Sequence, residues 1–494
     1  MNLLPLEIIQ IIFNLLDLIN QISFKTLCKN FYNGLTIYDL FDIPNKYKYN
    51  LNDKILKKYS HVKYLNASYN LNITNVNHMT NLQKLDASGS ICGIDDEGIK
   101  DLNVIKLNLF NNPKIKNLNH MNKLKILNVC GNSAINNDGI KNLNLKKLNI
   151  EFNDKITNIN HMTNLKKLNI SLNYEIGDND IRDLNLIKLN VKNNNITNLN
   201  HMNNLRILDI SDNSEVNDNG IKNLNLIKLK ASSNNNIRNL NHMTNLQFLD
   251  ISLSSVGDSG IKNLNLIELN VSFNSKITNV NHMTNLKKLN AKKSGIDDNG
   301  INNLNLILLN ANDNNKIKNI DHMRNLKILR AEGICGIDDH NIKNLNLIQL
   351  YASNNSKIKN VNHMSSLKIL DASYNSGIDN HGIKNINLFE LMVNQNLKIT
   401  NISHMTNLQI LDVSDKCGIN NDSIKNLNLA ILYAHENPNI TNVNHMTNLK
   451  RLFASGICGI DDEGIKNLNL VELDKRGNTK IKNINHMTNL LKIW

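Results

Sequence analysis

A histidine-methionine pair recurs eleven times, with its histidine at positions 78, 120, 161, 201, 242, 282, 322, 363, 404, 445 and 486, so successive pairs lie 40 to 42 residues apart. A fixed period of this kind marks a repeat architecture, whose units bury their apolar edges only against one another. Each unit divides again. Leu165-x-x-Leu168-x-Ile170-x-x-Asn173 returns 21 residues later as Leu186-x-x-Leu189-x-Val191-x-x-Asn194, and 19 residues after that as Leu205-x-x-Leu208-x-Ile210-x-x-Asn213. Side chains two apart in a strand share a side, so Leu168 and Ile170 face inward while Lys167, Asn169 and Ser171 face solvent. One coil of this length cannot enclose such an edge, whereas a stack of coils can.

Composition alone argues otherwise. Asparagine makes up roughly a fifth of the 494 residues and aromatics only 4%, a bias that favours disorder. The fixed offsets of Leu, Ile and Val overrule it, and a hydrophobic fraction of 41% suffices for a sizeable core. An asparagine at each turn has donor and acceptor groups for its own and the next coil, which predicts a ladder along the stack. The net charge of +13 comes from lysines scattered through the repeats and not from blocks, so direct nucleic-acid binding is not favoured.

Several functions lack their signatures. The start, MNLLPLEIIQIIFNLLDLI, has no basic n-region and carries Pro5, Glu7, Asn14 and Asp17, unlike a signal peptide, and no stretch is apolar enough to span a bilayer. The expectation is an intracellular, cytoplasmic protein with no membrane partner. Cys28, Cys92, Cys130, Cys335, Cys417 and Cys458 show neither CxxC spacing nor a disulfide rhythm, as suits a reducing compartment. No GxxxxGK, GxSxG or HExxH motif occurs, so neither catalysis nor a cofactor is expected. Histidines two coils apart stand roughly 10 Å from each other. Zinc ligands lie about 2 Å from the metal, so no metal site is expected and the histidines read as turn residues bonding backbone.

LxxLxLxxN is the leucine-rich-repeat pattern, with 21 full copies from Val62 onward and a truncated one at the end. One return limb, Ile156-Thr157-Asn158-Ile159-Asn160-His161-Met162, is similar to the internalin-like class of repeats. The other, Gly93-Ile94-Asp95-Asp96-Glu97-Gly98-Ile99 and its copies from Gly295 and Gly459, resembles the cysteine-containing repeats common in F-box proteins, and Cys92, Cys335 and Cys458 stand just before three such limbs. The resemblance implies an α/β solenoid: a leucine-rich-repeat horseshoe with a parallel concave sheet of about 21–22 short strands.

Residues 1–40 follow a different pattern. Ile8, Ile12, Leu15 and Ile19 fall at helical offsets after Leu4-Pro5; a second helix is expected around Ile22, Phe24 and Leu27, and a third around Phe31, Tyr32 and Leu35. By pattern alone this is a helical cap for the array or a partner-binding module. LPLEIIQIIFNLL followed by LCKNF resembles the F-box, with Phe31 in place of the commoner Trp. That resemblance implies docking on a Skp-type adaptor of a cullin-RING ubiquitin ligase through Leu4, Pro5, Ile8, Ile12, Phe13, Leu16, Leu27 and Phe31. The expected organisation is an F-box-like domain over 1–40, a short basic linker over 41–61 and the solenoid over 62–494.

The concave sheet is the expected partner surface. Most of its solvent-facing positions are Lys, Asn, Asp or Ser, but towards the C-terminus they become Arg330, Tyr351, Met392, Tyr433, His435, Arg451, Phe453 and Arg476. Such residue types make binding hot spots, so these are the expected contacts for a target protein of unknown identity. Lys228, Lys230, Lys288, Lys292 and Lys293 are a second, basic candidate for an acidic or phosphorylated segment. The expected function is that of a noncatalytic substrate-recognition adaptor of a Skp-cullin-F-box ligase. The alternative is an interaction scaffold or decoy whose helices only cap the array or sequester the adaptor. The Asn, Lys and Ile bias is similar to that of proteins from giant viruses that infect amoebae, which implies action in host cytoplasm.

Overall fold

A computed structural model of the chain describes residues 5–212 and 214–494, in two compact units, Met1–Arg238 and Asn239–Trp494. Within each unit short parallel strands pair in chain order. From Tyr64–Asn66 to Glu472–Asp474 there are 21 strands of three residues, one for each full copy of the repeat. Two-residue strands at Asp39–Leu40 and Lys492–Ile493 bring the number among the described residues to 23. The first of these precedes the repeat pattern and was not expected; Asp39 and Leu40 pair with Tyr64 and Leu65. Registers do not slip: Lys147, Lys167 and Lys188 stand side by side, as do Leu148, Leu168 and Leu189, then Asn149, Asn169 and Asn190. Each position of the repeat thereby becomes a row across the sheet.

The repeated turns explain the composition. Asn153 sends its amide to the carbonyls of Val129 (2.8 Å) and Ile135 (3.3 Å) in the preceding coil and accepts from Lys155 N–H (3.1 Å). Asn396 repeats this with Ala372 (2.6 Å), Ile378 (3.3 Å) and Lys398 (2.8 Å). These side chains are buried, and they satisfy carbonyls that no water can reach. In the limb Gly93–Ile99 the two aspartates divide the labour. Asp95 caps a one-turn helix by accepting from Gly98 N–H (3.0 Å), while Asp96 accepts from Lys116 and Asn117 of the next coil at 2.8 and 3.0 Å. Glycine is required at 98, because a β-carbon there would stand 2.0 Å from the Thr74 carbonyl oxygen.

The recurring histidines belong to the same scaffold. His120 Nε2 bonds the Ile99 carbonyl at 3.0 Å, His363 that of Ile342 at 3.0 Å, and His445 that of Ile424 at 3.0 Å, each at the end of a one-turn helix in the coil before. A carbonyl only accepts, so Nε2 carries the hydrogen. The methionines beside them, Met121, Met364 and Met446, are fully buried.

The N-terminal segment forms α1 (Leu6–Phe13), α2 (Leu18–Lys25) and α3 (Lys29–Gly34). Asp17 caps α2 by accepting from Asn20 N–H (3.0 Å), and the Cys28 sulfur accepts from Phe31 N–H at the start of α3 (3.4 Å). The Gln21 amide donates to the carbonyls of Phe13 and Leu16 where α1 ends, and Gln10 makes a two-way bond with the backbone of Thr36. Residues 41–61, set apart as a linker by the sequence, carry one-turn helices at Asn45–Lys48 and Asp53–Leu56, followed by a 3₁₀ turn at Lys57–Tyr59. Asn70 donates to Lys48 and Leu51 there, and Asp53 accepts from Thr74 and Asn75, so the segment occupies the place of a coil before the first repeat.

Candidate protein-binding surfaces

Three helices are too few to enclose all the apolar residues they carry. Phe13 is fully buried, edge-on to Phe24 at 6.1 Å, and Phe24 stacks on Phe31 at 5.1 Å. Phe13 is therefore not available to a partner: it holds the helices together, and its place in the expected contact set is corrected accordingly. Leu4 lies outside the described residues. Pro5, Ile8, Ile12 and Leu27 are exposed, and Leu16 and Phe31 are half-buried. Ile11, Leu15, Ile19 and Ile22 join them in solvent, with Leu15 82% and Leu27 69% exposed. Ile8 and Ile12 share one side of α1 by their spacing, Ile19 and Ile22 one side of α2, and Leu15 stands in the turn between the two helices. Fully burying one such side chain is worth about 1.5–3 kcal/mol, so this surface gains from being covered.

The second surface lies on the strand face of the unit Asn239–Trp494. Register places Arg330 beside Tyr351, and its guanidinium lies over that ring at 4.3 Å. Tyr351 is followed along the same row by Asp371, Met392 and Asp412, and then by Tyr433 and Phe453. The last two rings stack at 4.6 Å and 9°. Around Phe453 stand His435 (5.8 Å between centroids), the Arg451 guanidinium (5.4 Å) and Trp494 (6.3 Å). Trp494 thus joins the aromatic cluster. His435 Nδ1 bonds Ser455 Oγ at 2.5 Å.

The expected target contacts therefore form two clusters, Arg330 with Tyr351 and Tyr433 with His435, Arg451 and Phe453. Met392 stands between them, flanked by two aspartates. Burial pushes the Asp371 carboxyl above its ordinary range. Two arginines of this face are answered locally. Arg451 pairs with Glu472, which also binds Lys492 at 3.0 Å, and Arg476 grips Asp474 with two bonds of 2.9 and 2.6 Å. Lys492, opposing burial, holds the Glu472 carboxyl low, with help from Arg451; Arg476 does the same for Asp474.

The basic candidate set is divided between the two units. Lys228 and Lys230 lie in the first unit and Lys288, Lys292 and Lys293 in the second. Lys230 pairs with Asp209 (3.8 Å), Lys288 with Glu268 (3.6 Å) and Lys293 with Asp313 (3.8 Å), while Lys292 and Lys293 approach the Phe273 ring at 5.6 and 5.5 Å. Five cysteines are buried, and burial pushes the Cys335 and Cys417 thiols up to about 11, well away from reactive thiolates. Among the described residues no group of three His, Cys, Asp or Glu side chains is placed to hold a metal ion, and no helix is long and apolar enough to cross a membrane.

Residues 1–41 match the F-box domain. Among solved structures, the chain is similar to a chain of the TLR13-ssRNA13 complex, at 17% identity and a TM-score of 0.56, covering 95% of this chain and 78% of that one. It is also similar to a chain of the mouse RP105/MD-1 complex, at 15% identity and a TM-score of 0.53, covering 85% and 87%. The Leptospira interrogans LRR protein LIC12759 shares 19% identity over 84% of this chain and 95% of its own, but its TM-score of 0.31 is too low to bear on the fold. At these identities the likeness concerns the fold alone. No curated protein matches the chain. The molecule joins an F-box domain to a leucine-rich-repeat solenoid. That architecture is typical of noncatalytic adaptors and supports a substrate-recognition role in general.

Proposed function

We propose that this chain is the substrate-recognition subunit of a Skp-cullin-F-box type ubiquitin ligase: its F-box docks on a Skp-type adaptor, and its strand face holds a target protein. The observation that carries this reading is the open apolar surface of α1, α2 and the turn between them, where Ile8, Ile11, Ile12, Leu15, Ile19 and Ile22 stand in solvent in the segment that matches the F-box. A helical cap serving only its own array would turn such residues towards the first coil. Pro5 and Leu27 extend the proposed adaptor surface. For the target we propose the clusters around Arg330, Tyr351 and Met392 and around Tyr433, His435, Arg451, Phe453 and Arg476, with Trp494 as an added ring. Catalysis is left to the ligase, and this chain supplies proximity.

One affinity-capture experiment tests both halves. Ile12→Asp with Leu15→Asp should abolish capture of the adaptor while leaving the circular dichroism unchanged, since both side chains are exposed. Phe453→Ala should leave adaptor capture intact and weaken target capture by about tenfold or more, the usual scale of an aromatic hot spot. Adaptor captured equally well by the double variant would remove the ligase reading. Adaptor captured without cullin would leave a decoy.

A further inference from the structure

The strand face of the first unit carries an unanswered row of positive charge. Register sets Lys147 beside Lys167 and Lys167 beside Lys188. Their stems are about 4.8 Å apart, so the three span roughly 10 Å. All three are exposed, as are Lys146 and Lys166 just before the first two. Elsewhere on the strand face cations such as Lys230, Lys288 and Arg451 have a carboxylate partner, but among the described residues Lys147, Lys167 and Lys188 have none. Glu151, at the far end of its coil's strand face, accepts instead from Asn169 (3.0 Å). A depression of about 380 Å³ runs along the row, and Asn149, Asn169 and Asn190 line it with further polar groups.

We propose that this row is the docking site for an acidic, extended segment of the target protein, laid across the strands with its carboxylates against Lys147, Lys167 and Lys188. The proposal rests on the reading of the repeats as a target-binding module and gives the chemistry of what they bind. The layout selects the ligand. A single phosphate calls for cations that converge on one point, whereas these are spread one to a strand, as a succession of single negative charges requires. Alternate residues of an extended peptide are roughly 6.6 Å apart, a spacing that flexible lysine side chains can match. Single-stranded nucleic acid binds on aromatic platforms, and no aromatic side chain occupies a solvent-facing strand position from Ile126–Asn128 to Ile207–Asp209.

The test is fluorescence anisotropy on the full chain without adaptor, using a labelled peptide of alternating Glu and Gly, its Gln-Gly counterpart and a thymidine oligonucleotide. The Glu peptide should bind, with affinity falling steeply as salt rises, and the Gln peptide should not. Lys147→Gln, Lys167→Gln and Lys188→Gln together should weaken binding by about tenfold or more, while the triple Arg variant retains it. No binding of the Glu peptide, binding indifferent to the Gln variant, or tighter binding of the oligonucleotide would each overturn the proposal. Adaptor capture is read separately, so failure here leaves the F-box reading intact, and the reverse holds.

Discussion

Two stretches of strand face, around Lys167 in the first unit and around Phe453 in the second, are built on the same repeat and differ in how their charges are met. Around Phe453 the cations are already engaged, Arg451 with Glu472 and Arg476 with Asp474, and what remains for a partner is a set of rings held in place by those pairs. Among the described residues Lys147, Lys167 and Lys188 have no carboxylate partner, and no ring occupies the solvent-facing positions of their strands. The first arrangement suits shape-specific contact with a desolvated centre; the second suits attraction that salt weakens. A solenoid makes this division possible because register keeps every row straight, so a change at one repeat position moves only the chemistry and not the backbone.

The comparison requires that the scaffold be equivalent beneath both faces, and the largest expected effect tests this. Asn153 lies under the lysine row and Asn396 under the second face, and each satisfies two carbonyls of the preceding coil. Replacing either by Ala strands those carbonyls and should cost about 3 kcal/mol, with the two variants equal within about 1 kcal/mol, as measured by urea unfolding. A large cost at one site and a small one at the other would mean that the units are not built alike.

Much of this scaffold was legible in the sequence because a coil repeated 21 times states its inward positions 21 times. The F-box was legible for a different reason: its apolar positions and its Leu-Pro start do not follow the period of the repeat. What could not be read was the direction in which the helical apolar residues face. Phe13 and Ile12 are adjacent and alike in hydrophobicity, yet one is the core of the module and the other is in solvent, a choice made by Phe24 and Phe31. The strand at Asp39–Leu40 carries no repeat signature, since it is defined by its neighbour Tyr64–Asn66. The lysine row was in plain view as three successive Lys-Leu-Asn strands, but its significance depends on which cations lack a carboxylate. Pairs such as Arg451 with Glu472, 21 residues apart, appear only once register is known. For the same reason the carboxylate partners of Lys230, Lys288 and Lys293 in the basic candidate could not be read from the sequence.

A smaller effect is expected where a charge is met. Glu472 is mostly buried and held low in pKa, first by Lys492 and then by Arg451, so its folded pKa lies below the unfolded one. A depressed carboxylate contributes stability that is present above the unfolded pKa and fades as pH falls through the folded one. Arg451→Ala, with Lys492 still in place, should therefore lower the unfolding midpoint at neutral pH by about 2–4 °C. The gap to the unaltered chain should narrow as the buffer is acidified below the ordinary glutamate value of 4.5. A gap that does not change with pH would show that Arg451 acts by packing on Phe453 and not through Glu472.

The smallest effect should come from the charge that is not met. Lys167 is exposed, has no acidic partner among the described residues and stands between two further lysines, so its ammonium contributes repulsion to the folded state and nothing that offsets it. Lys167→Ala should leave stability unchanged or raise it by a few tenths of a kcal/mol, within the ±0.5 kcal/mol usual for surface positions. Any gain should vanish as salt rises, because the Debye length of about 10 Å at 0.1 M matches the span of the row and shrinks further in stronger salt. Thermal unfolding in low and high salt decides the matter. A loss of stability from Lys167→Ala, or a gain that persists in high salt, would mean that the lysine is already serving the fold, and the distinction between a face that answers its own charges and one that awaits a partner's would not hold.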